Sequence, residues 1–399
     1  MRREICRGCE GIRLEKFLDL GEMPLAGGFL PNIDAIRDEK RFPLPIHVCM
    51  DCGLVQILEV IDPEILFQNY SFSSSTVGPL VKHFEKYADW LKNELAPKSV
   101  VEFGCNDGIL LAPLEQLGIR ACGVDVSKNI TEMARSRGLE VFTGYFDEKM
   151  AAFLTKRLDR VDAVIGSNAF AHNDRPEVIL KAAHHVLKPG GYLCLEFMYA
   201  GDLLELLQWD TLYHEHLTFY CLNTLEVLLR RHGFHVVHAE RLSMHGGSLR
   251  VVASGDPDEL PRSSVAKIAE YENEKQLANP ATWLSFGESV GRKIEVVRRT
   301  VDGLSRGSRI WGYGAAGKAT MWVNVCQMGY LEAVVDASPL RAGKLMPGTH
   351  TPIVFPAALR SKPPDYIFVS AWNYADVIRS KEDWFKGILI RPLPELRFF

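Results

Sequence analysis

The stretch of sequence that decides the fold runs from Val100 to Ile109 and reads V-V-E-F-G-C-N-D-G-I. Its apolar start predicts a strand, its glycines predict a tight turn, and its end predicts the start of a helix. Gly104 and Gly108 allow a ligand to approach the backbone, and a helix N-terminus offers free N–H groups. Glu102, just before the turn, suits a ligand with a cationic end and little phosphate. The spacing E-x-G-x-x-x-G thus differs from the G-x-G-x-x-G of dinucleotide enzymes.

Further residues extend this turn into a candidate cofactor site. Asp125 ends the next predicted strand, where a carboxylate accepts hydrogen bonds from both hydroxyls of a ribose. Asn106 lies within the turn, and Asn168 follows the fourth strand beside the expected methionine moiety. Phe146 follows the third strand beside the expected adenine, although packing in the core explains it equally well. With K-P-G-G at 188–191, the pattern resembles the S-adenosylmethionine site of class I methyltransferases; the alternative is an ordinary α/β turn.

Strand-like and helix-like runs alternate along most of the chain, which indicates parallel sheets covered on both faces. In the middle block the predicted strands are Val100–Phe103, Ala121–Val124, Val161–Ile165 and Tyr192–Phe197. In the last block they are Arg309–Gly312, Glu332–Asp336, Tyr366–Ser370 and Ile388–Arg391. Residues 262–300 predict a helix that is interrupted near Asn279-Pro280. We therefore expect an α/β protein with a turn-rich domain at 1–68, a middle domain with a helical linker at 69–300, and a second α/β domain at 301–399.

Composition excludes several classes of function. The chain has 399 residues, with 46 Lys and Arg against 50 Asp and Glu, for a net charge of −4. A protein that grips nucleic acid through its phosphates is usually basic, so we expect no nucleic-acid partner. No apolar run approaches the ~18 residues of a membrane span, and the first residues show no secretory signal. Nine cysteines without such a signal favour a reducing compartment. We expect a cytoplasmic monomer or weak homo-oligomer with no membrane partner.

Two C-x-x-C pairs lie near the N-terminus, Cys6 with Cys9 and Cys49 with Cys52. Each pair lets two thiolates point at one centre, and two pairs complete a tetrahedral four-sulfur zinc site. Residues 10–48 separate the pairs, a longer gap than in a usual zinc ribbon, which predicts an inserted loop. Because four thiolates leave no open coordination position, we expect this zinc to hold the fold and do no chemistry. Metal-free thiols, a redox pair and an iron–sulfur cluster are the alternatives.

Two polar segments are expected at the carboxyl ends of the fourth and fifth strands, where open α/β sheets bind ligands. One segment contains Asn168 and His172, and the other reads Tyr213-His214-Glu215-His216. A tyrosine, a glutamate and histidines this close together can form an acid–base network. One alternative is a metal site that uses both histidines of the second segment. The other is a set of histidines in surface loops or satisfied by local hydrogen bonds.

Two glycine-containing segments follow further along the chain. The first, H-G-G-S-L-R, holds His245 and Gly246 in a loop that can pass close to a ligand, while Arg250 is either a polar handle or the start of a strand. The second, Gly312–Lys318, reads G-Y-G-A-A-G-K between a predicted strand and a predicted helix. Alone, the second segment would indicate a dinucleotide site, with Asp336 as the ribose acceptor.

Together with Pro24-Leu25-Ala26, these motifs occur in the order found in the nucleotide-sugar C-methyltransferases, which the chain resembles over nearly its whole length. Such enzymes transfer a methyl group from S-adenosylmethionine to C3 of dTDP-linked 4-keto-deoxysugars on the way to branched antibiotic sugars. The resemblance implies a zinc-binding N-terminal domain, a class I methyltransferase middle domain and a Rossmann-like C-terminal domain. It implies S-adenosylmethionine and structural zinc as cofactors, and a nucleotide sugar, with dTDP expected and GDP the alternative, as substrate.

The resemblance also implies which residues surround the sugar. They are Tyr213, Glu215, His216 and His172. We expect His216 to take the C3 proton, with Tyr213 as the competing base. Glu215 would orient one of the two, and His172 or Tyr213 would stabilise the enolate oxygen.

Other parts of the substrate site follow from the same resemblance. The segment Tyr70-Ser71-Phe72 corresponds to a sugar-site motif of the family, but Phe72 stands where the family has a second tyrosine. The second glycine turn is implied to bind the diphosphate, through Tyr313, Gly314, Ala315 and Lys318. An O- or N-methyltransferase on a related sugar, an NAD-linked enzyme that uses this turn, and a non-catalytic zinc scaffold stay open as alternatives.

Overall fold

The computed structural model describes residues 1–67, 70 and 72–399, which form three sheets with flanking helices. The proposed boundary between residues 68 and 69 falls outside the described residues, as does Ser71 of the Tyr70-Ser71-Phe72 segment. A small antiparallel sheet is followed along the chain by two Rossmann-like sheets. This architecture confirms the predicted fold class.

The elements of the described chain are as follows. The strands are β1 (Leu14–Pro24), β2 (Arg41–Cys49), β3 (Val55–Ile57), β4 (Ser99–Phe103), β5 (Arg120–Asp125), β6 (Val141–Thr143), β7 (Val161–Ser167), β8 (Leu187–Met198), β9 (Thr218–Phe219), β10 (His235–Leu242), β11 (Ser248–Ser254), β12 (Ile310–Tyr313), β13 (Val334–Val335), β14 (Ile353–Val354), β15 (Tyr366–Val369), β16 (Ile388–Arg391) and β17 (Arg397–Phe398). The α-helices are α1 (Pro63–Phe67), α2 (Gly78–Glu94), α3 (Leu111–Gln116), α4 (Lys128–Ser136), α5 (Glu148–Leu158), α6 (Pro176–Val186), α7 (Ala200–Glu205), α8 (Leu222–Arg231), α9 (Ser263–Glu274), α10 (Pro280–Ser305), α11 (Gly317–Val325), α12 (Pro356–Ser361) and α13 (Ala375–Lys381).

The first sheet has the strand order β1-β2-β3-β9 and is antiparallel. Ile46 and Val48 of β2 are fully buried and form part of its core. Its last strand, β9, comes from the middle of the chain, where Phe219 pairs with Val55. The N-terminal unit is therefore completed by residues that directly follow the Tyr213–His216 segment.

The second sheet has the order β10-β11-β8-β7-β4-β5-β6. At its centre, Val100 of β4 pairs in parallel with Ala121 of β5 and with Ala163 of β7. Helical crossovers connect these parallel strands, as the alternating pattern predicted. β10 and β11 extend the sheet in antiparallel fashion, because a short loop at 243–247 joins them directly. The carboxyl ends of β4, β5, β7 and β8 therefore lie along one edge.

The third sheet has the order β14-β13-β12-β15-β16-β17, with β17 antiparallel to β16. The helical run before it is interrupted as predicted: α9 ends, and Asn279 caps α10 by accepting from the N–H of Ala281 at 3.0 Å. Near its start, α10 packs Trp283 and Phe286 against Phe17 of β1. In the described part of the chain, no helix combines the length and apolarity needed to cross a membrane.

Candidate active site

The turn after β4 forms a cradle with a buried, unpaired acid. Gly104 and Gly108 have φ angles of +65° and +80°, a region that favours glycine. A Cβ atom at Gly104 would collide with Ala169, so only glycine fits this turn. Glu102 is 1% exposed, and its Oε2 has no hydrogen-bond partner in the described residues. Burial raises the pKa of Glu102 well above its ordinary value, and a cationic ligand group would oppose that shift. The cradle therefore fits the positively charged S-adenosylmethionine.

Asp125 and Asn106 form the rim of this cradle. The Asp125 carboxylate accepts hydrogen bonds from the backbone N–H groups of Asn106 at 3.0 Å and Ser127 at 2.8 Å. The Asn106 side chain accepts from the N–H of Ser74 at 2.9 Å and donates to the carbonyl of Phe72 at 3.1 Å. Asn106 therefore fastens the segment at 72–74 over the cofactor turn, and its amide is committed to that contact.

The sequence reasoning missed Asp107. Its carboxylate is buried and accepts from the hydroxyl of Ser73 at 2.6 Å, from the hydroxyl of Ser75 at 3.0 Å and from the N–H of Ser75 at 3.1 Å. These bonds tie the segment that carries Tyr70 and Phe72 to the cofactor turn. The run of serines at 73–75 was the available signal, but it does not name its partner.

Phe146 and Asn168 lie at the ends of β6 and β7. The Phe146 ring stacks on Phe103, with centroids 5.4 Å apart, and is largely buried. This contact agrees with the core-packing interpretation of Phe146. Asn168 has a φ of +54°, and its N–H donates to the carbonyl of Glu196 at 2.7 Å. The backbone bond fixes the start of the loop that leads to His172.

His172, Tyr213 and His216 meet in one cluster of rings, as the sequence predicted. The rings of Tyr213 and His216 have centroids 4.0 Å apart, and those of His172 and His216 are stacked at 5.1 Å. Phe67 stacks on the outer face of His172 at 6.2 Å. Burial lowers the pKa of His172 to about 4, so its ring is neutral at neutral pH.

The hydrogen bonds of His216 define its tautomer. Its Nδ1 lies 2.7 Å from the carbonyl oxygen of Thr211. A carbonyl only accepts, so Nδ1 carries the hydrogen and Nε2 is unprotonated in the neutral ring. Burial, with His172 beside it, lowers the pKa of His216 well below its ordinary value. His216 is therefore a buried, neutral imidazole that presents a basic nitrogen.

Tyr70 and Glu215 form a second buried pair beside this cluster. The Tyr70 hydroxyl donates to Glu215 Oε2 at 3.5 Å, and burial raises the pKa of Glu215 to about 7. Burial also raises the pKa of Tyr70 and of Tyr213 well above 10, so both phenols keep their protons. The Phe72 ring lies 6.5 Å from Tyr70 and packs with the core behind it. With phenylalanine in place of the tyrosine of the resembled family, the side chain at this position is apolar and carries no hydroxyl.

His214 does not join His216. Its Nε2 donates to the carbonyl of Pro43 at 3.1 Å, and its ring packs edge-on against Phe42 of β2. Within residues 1–67, 70 and 72–399, the one group of side chains arranged to bind a metal is the four-cysteine cluster. His214 is therefore a structural contact to the first sheet.

The loop between β10 and β11 brings His245 towards the same region. His245 has a φ of +58°, an uncommon backbone conformation for a residue with a side chain. Burial, together with the charge of Lys318, lowers its pKa to about 4. The carbonyl of Gly246 accepts from the side chain of Gln208 at 2.6 Å, which holds the loop in place.

Arg250 is committed to another acid. Its Nε donates to Glu196 Oε1 at 2.6 Å, and its guanidinium lies over the ring of Tyr87 at 3.8 Å. His83 contacts the other Glu196 oxygen at 2.8 Å. The strand interpretation of Arg250 therefore fits the structure better than a ligand contact. The sequence reasoning missed His83 and Glu196, because neither residue stands in a motif.

The second glycine turn lies against the cluster of His172, Tyr213 and His216. A Cβ atom at Gly317 would come within 2.8 Å of the Tyr213 ring, so the start of α11 touches that residue. Gly314 has a φ of +90°, and Ala315 is fully buried. The Tyr313 hydroxyl donates to Glu382 at 2.8 Å and is occupied by that bond. Lys318 Nζ is buried and has no hydrogen-bond partner among the described residues.

Asp336, the ribose acceptor expected for the dinucleotide alternative, is already engaged within the protein. Asp336 Oδ1 already accepts from the N–H of Ser338 at 2.8 Å and from Arg341 at 3.0 Å. An arginine paired with this carboxylate opposes its use as a free ribose acceptor.

The four cysteines have the geometry of a four-sulfur zinc centre. The sulfur atoms of Cys6 and Cys52 are 3.7 Å apart, and those of Cys9 and Cys49 are 3.6 Å apart. Zinc–sulfur bonds of ~2.3 Å in a tetrahedron place sulfurs about 3.8 Å apart, so the site fits zinc. Gln56 Nε2 also donates to Cys6 Sγ at 3.2 Å, which favours the thiolate.

Known proteins share this combination of parts. Three family models match: a zinc binding domain at residues 6–67, a methyltransferase domain at 81–239 and a C-methyltransferase C-terminal domain at 243–394. C-methyltransferase NovU of Streptomyces niveus is 32% identical over 98% of this chain and 96% of that protein. Ubiquinone biosynthesis O-methyltransferase of Xanthomonas oryzae pv. oryzae is 30% identical over 26% of this chain and 44% of that protein. The structure of magnesium protoporphyrin IX methyltransferase from Synechocystis with bound SAH has 18% identity and a TM-score of 0.34, over 44% of this chain and 82% of that one.

The cradle after β4 and the sulfur cluster define an S-adenosylmethionine-dependent methyltransferase with a zinc-binding domain. Because its similarity to NovU spans nearly the full length of both chains, the protein belongs to the C-methyltransferase family.

Proposed function

We propose that the protein transfers a methyl group from S-adenosylmethionine to C3 of a nucleotide-linked 4-keto-deoxysugar, in the biosynthesis of a branched deoxysugar. The nucleotide is dTDP, with GDP as the alternative. The observation that carries this proposal is the buried, neutral His216, whose Nδ1 is held by Thr211 and whose Nε2 is free to accept a proton. Methylation of carbon needs such a base, because the C–H bond must break before carbon can attack.

His216 suits this task better than its competitor, Tyr213. The raised pKa of Tyr213 keeps its phenol protonated at neutral pH, so Tyr213 acts as a hydrogen-bond donor. In the proposed step, His216 Nε2 takes the C3 proton, and the Nδ1–H bond to Thr211 holds the resulting imidazolium. The Tyr213 phenol and the neutral His172 ring face the developing enolate oxygen.

The cofactor has a defined place in this arrangement. Glu102, Gly104, Gly108 and Asp125 would hold it, with Asn106 fixing the rim and Asn168 and Phe146 at the edges. When bound, S-adenosylmethionine supplies an electrophilic methyl group. The protein's contribution is to hold the sugar carbon in line with that group, since positioning lowers the barrier.

The nucleotide part of the substrate is assigned to the C-terminal unit. At the start of α11, the first N–H groups of the helix have no intrahelical partner and can bind a diphosphate. Gly314 and Ala315 form the turn before these groups, and the backbone N–H of Lys318 in the first turn of α11 is one of them. Tyr70, Glu215, His245 and Gly246 would line the sugar pocket.

Three finer assignments accompany this function. The working division into 1–68, 69–300 and 301–399 gives zinc-binding, methyltransferase and sugar-nucleotide domains. We further propose that the enzyme acts in the cytoplasm, as a monomer or weak homo-oligomer. Sedimentation at two protein concentrations measures that association.

The experiment incubates the enzyme with S-adenosylmethionine and a panel of dTDP- and GDP-linked 4-keto-deoxysugars that carry deuterium at C3. Mass spectrometry then follows the product. Gain of one methyl group with loss of the deuterium is the expected result. Methyl gain with the deuterium retained would move the acceptor to oxygen or nitrogen, and a change in NADH absorbance would favour the dinucleotide alternative.

A matched pair of variants tests the base. His216→Asn should lower kcat by about 10²–10⁴-fold, the usual contribution of general base catalysis, with calorimetric binding of S-adenosylmethionine unchanged. His214→Asn changes the same residue type two positions earlier, outside the ring cluster, and should retain activity. Equal losses in both variants would remove His216 as the base.

A further inference from the structure

Asp210 ties the C-terminal unit to the catalytic segment. It lies in a short 3-10 helix, Trp209–Thr211, three residues before Tyr213, and is fully buried. Its Oδ2 accepts from the indole N–H of Trp322 at 2.9 Å and from that of Trp372 at 2.8 Å. Trp322 belongs to α11 and Trp372 follows β15. Two donors from the third sheet and its helices thus converge on one oxygen.

The other Asp210 oxygen has a different environment. Oδ1 is buried and has no hydrogen-bond partner in the described part of the chain, as is also true of Lys318 Nζ. Lys318 Nζ lies 4.5 Å from the ring centre of Trp372, the same side chain that donates to Asp210. Burial lowers the pKa of Lys318, and the nearby Asp210 charge opposes that shift. The two groups therefore interact as charges without a direct hydrogen bond.

The charge of Lys318 also reaches the histidines of the site. Burial and the neighbouring His172 lower the pKa of His216 the most, and the charge of Lys318 lowers it further. Lys318 also lowers the pKa of His245, after burial. His83 lowers this pKa further, and Glu196 opposes the shift. Tyr213, which stacks on His216, in turn faces Glu215 and Asp210.

We propose that Asp210 is a positioning residue for methyl transfer, which holds Lys318 as an ammonium ion at the start of α11. This turn contacts Tyr213, whose ring stacks on His216 where the substrate becomes negatively charged. This inference rests on the proposed function. When the C3–H bond breaks, the proton goes to His216 Nε2 and the electron pair is held on the carbonyl oxygen. That pair would then form the C3–methyl bond, while the electrons of the broken sulfur–methyl bond stay on the departing sulfur. A fixed cation in a buried site stabilises that oxygen, and it also keeps His216 unprotonated beforehand. The two indoles orient Asp210 so that one oxygen acts on Lys318.

Kinetics over a range of pH test the proposal. Lys318→Met should lower kcat by about 10²-fold, the loss seen when one stabilising donor is removed. Asp210→Asn keeps an oxygen that can accept from both indoles but removes the charge. It should lower kcat by about 10-fold, and its loss should deepen towards alkaline pH, where an unsupported Lys318 loses its proton. The double variant should match Lys318→Met, since Asp210 acts through Lys318. A further loss in the double variant would overturn the proposal.

Trp322→Phe separates this electrostatic role from a structural one. It removes one indole donor, leaves both charges, and keeps the bond from Trp372 that still orients Asp210. We expect a lower melting temperature with an unchanged shape of the pH profile. A pH profile altered in the same way as that of Asp210→Asn would show that Asp210 acts only as a packing contact.

An NMR measurement tests the same coupling without a sugar substrate. In the free enzyme, Lys318→Met removes a positive charge and should move the titration of the His216 imidazole to higher pH. In the otherwise unchanged chain, Lys318→Met should also move the titration of the Asp210 carboxyl upward, which tests the pair even if Asp210→Asn unfolds. Unmoved titrations would overturn the inference. An enzyme that methylates none of the sugars but shows these shifts would refute the proposed substrate and leave the Asp210–Lys318 coupling intact.

Discussion

Replacing Glu215 by glutamine should stabilise the protein, with an effect that depends on pH. Burial raises the pKa of Glu215 to about 7, against an ordinary value of 4.5. Because the folded state binds the proton more tightly, the stability that this group contributes is complete below about pH 4.5. It is lost as the pH rises towards and past 7. The difference between a pKa of 4.5 and one of about 7, at ~1.4 kcal/mol per pKa unit, corresponds to about 3.5 kcal/mol once both states are ionised.

The assay is urea unfolding of the wild type and Glu215→Gln at pH 5, 6, 7 and 8. Glutamine stays neutral throughout, so the two free energies of unfolding should nearly agree at the acid end. By pH 8 the variant should exceed the wild type by about 3 kcal/mol. Comparing Glu215→Gln with the wild type at each pH cancels the contribution of all other titrating groups. A stability difference that is the same at every pH would refute the reasoning.

Glu196→Gln provides a control of opposite sign. Glu196 is equally buried, but its bonds to His83 and Arg250 outweigh the effect of burial and lower its pKa. Its contribution to stability is therefore present above its unfolded pKa and is lost as the pH falls. Removing this charge leaves the buried Arg250 with only a longer contact, 3.4 Å, to the partly exposed Glu240, and breaking such a buried pair costs about 3–5 kcal/mol. If Glu215→Gln also lowers kcat, the Glu215 carboxylate supports activity at the expense of protein stability.

Two further predictions concern contacts that hold the site together. Arg7 is buried and donates to Asp174 at 2.9 Å. Arg7→Met should therefore lower the free energy of unfolding by about 2–3 kcal/mol. This is less than the usual cost of a broken buried pair, because Asp174 is partly exposed. Arg231→Met, in α8, breaks a contact with the same zinc-binding knuckle, but its acidic partner Glu10 is exposed. It should change urea unfolding little, and equal losses would contradict this view. Gly317→Ala places a Cβ atom 2.8 Å from the Tyr213 ring, so overpacking should cost about 1–3 kcal/mol and lower kcat/KM. Unchanged kinetics would show that α11 does not bear on the Tyr213 ring.

Local sequence was sufficient to predict the cofactor turn and the zinc cluster. Both rest on short spacings, the glycines at 104 and 108 and the two C-x-x-C pairs, and the structure builds each as a compact unit. The meeting of His172 with Tyr213 and His216 was also predictable, because carboxyl ends of neighbouring parallel strands share one edge.

The remaining contacts join residues that are far apart in the chain. Asp210 meets Trp372 across 162 positions, and Arg250 meets Glu196 across 54. No sequence pattern predicts such a long-range pair, because each residue by itself resembles an ordinary surface or core position. Likewise, the two residues of β9 are too short to predict as a strand. They become one only because β3 offers them an edge.

The first sheet connects the zinc-binding unit to the cluster of His172, Tyr213 and His216. The N–H of Ile57 in β3 donates to the carbonyl of Leu217, whose own N–H donates to the carbonyl of Ala171. His172 follows immediately, and its ring stacks on His216. A path of backbone hydrogen bonds thus runs from the zinc-binding sheet to the loop beside His216. Because four thiolates leave a bound zinc no open coordination position, its effect on turnover should pass through this path, by keeping His172 against His216.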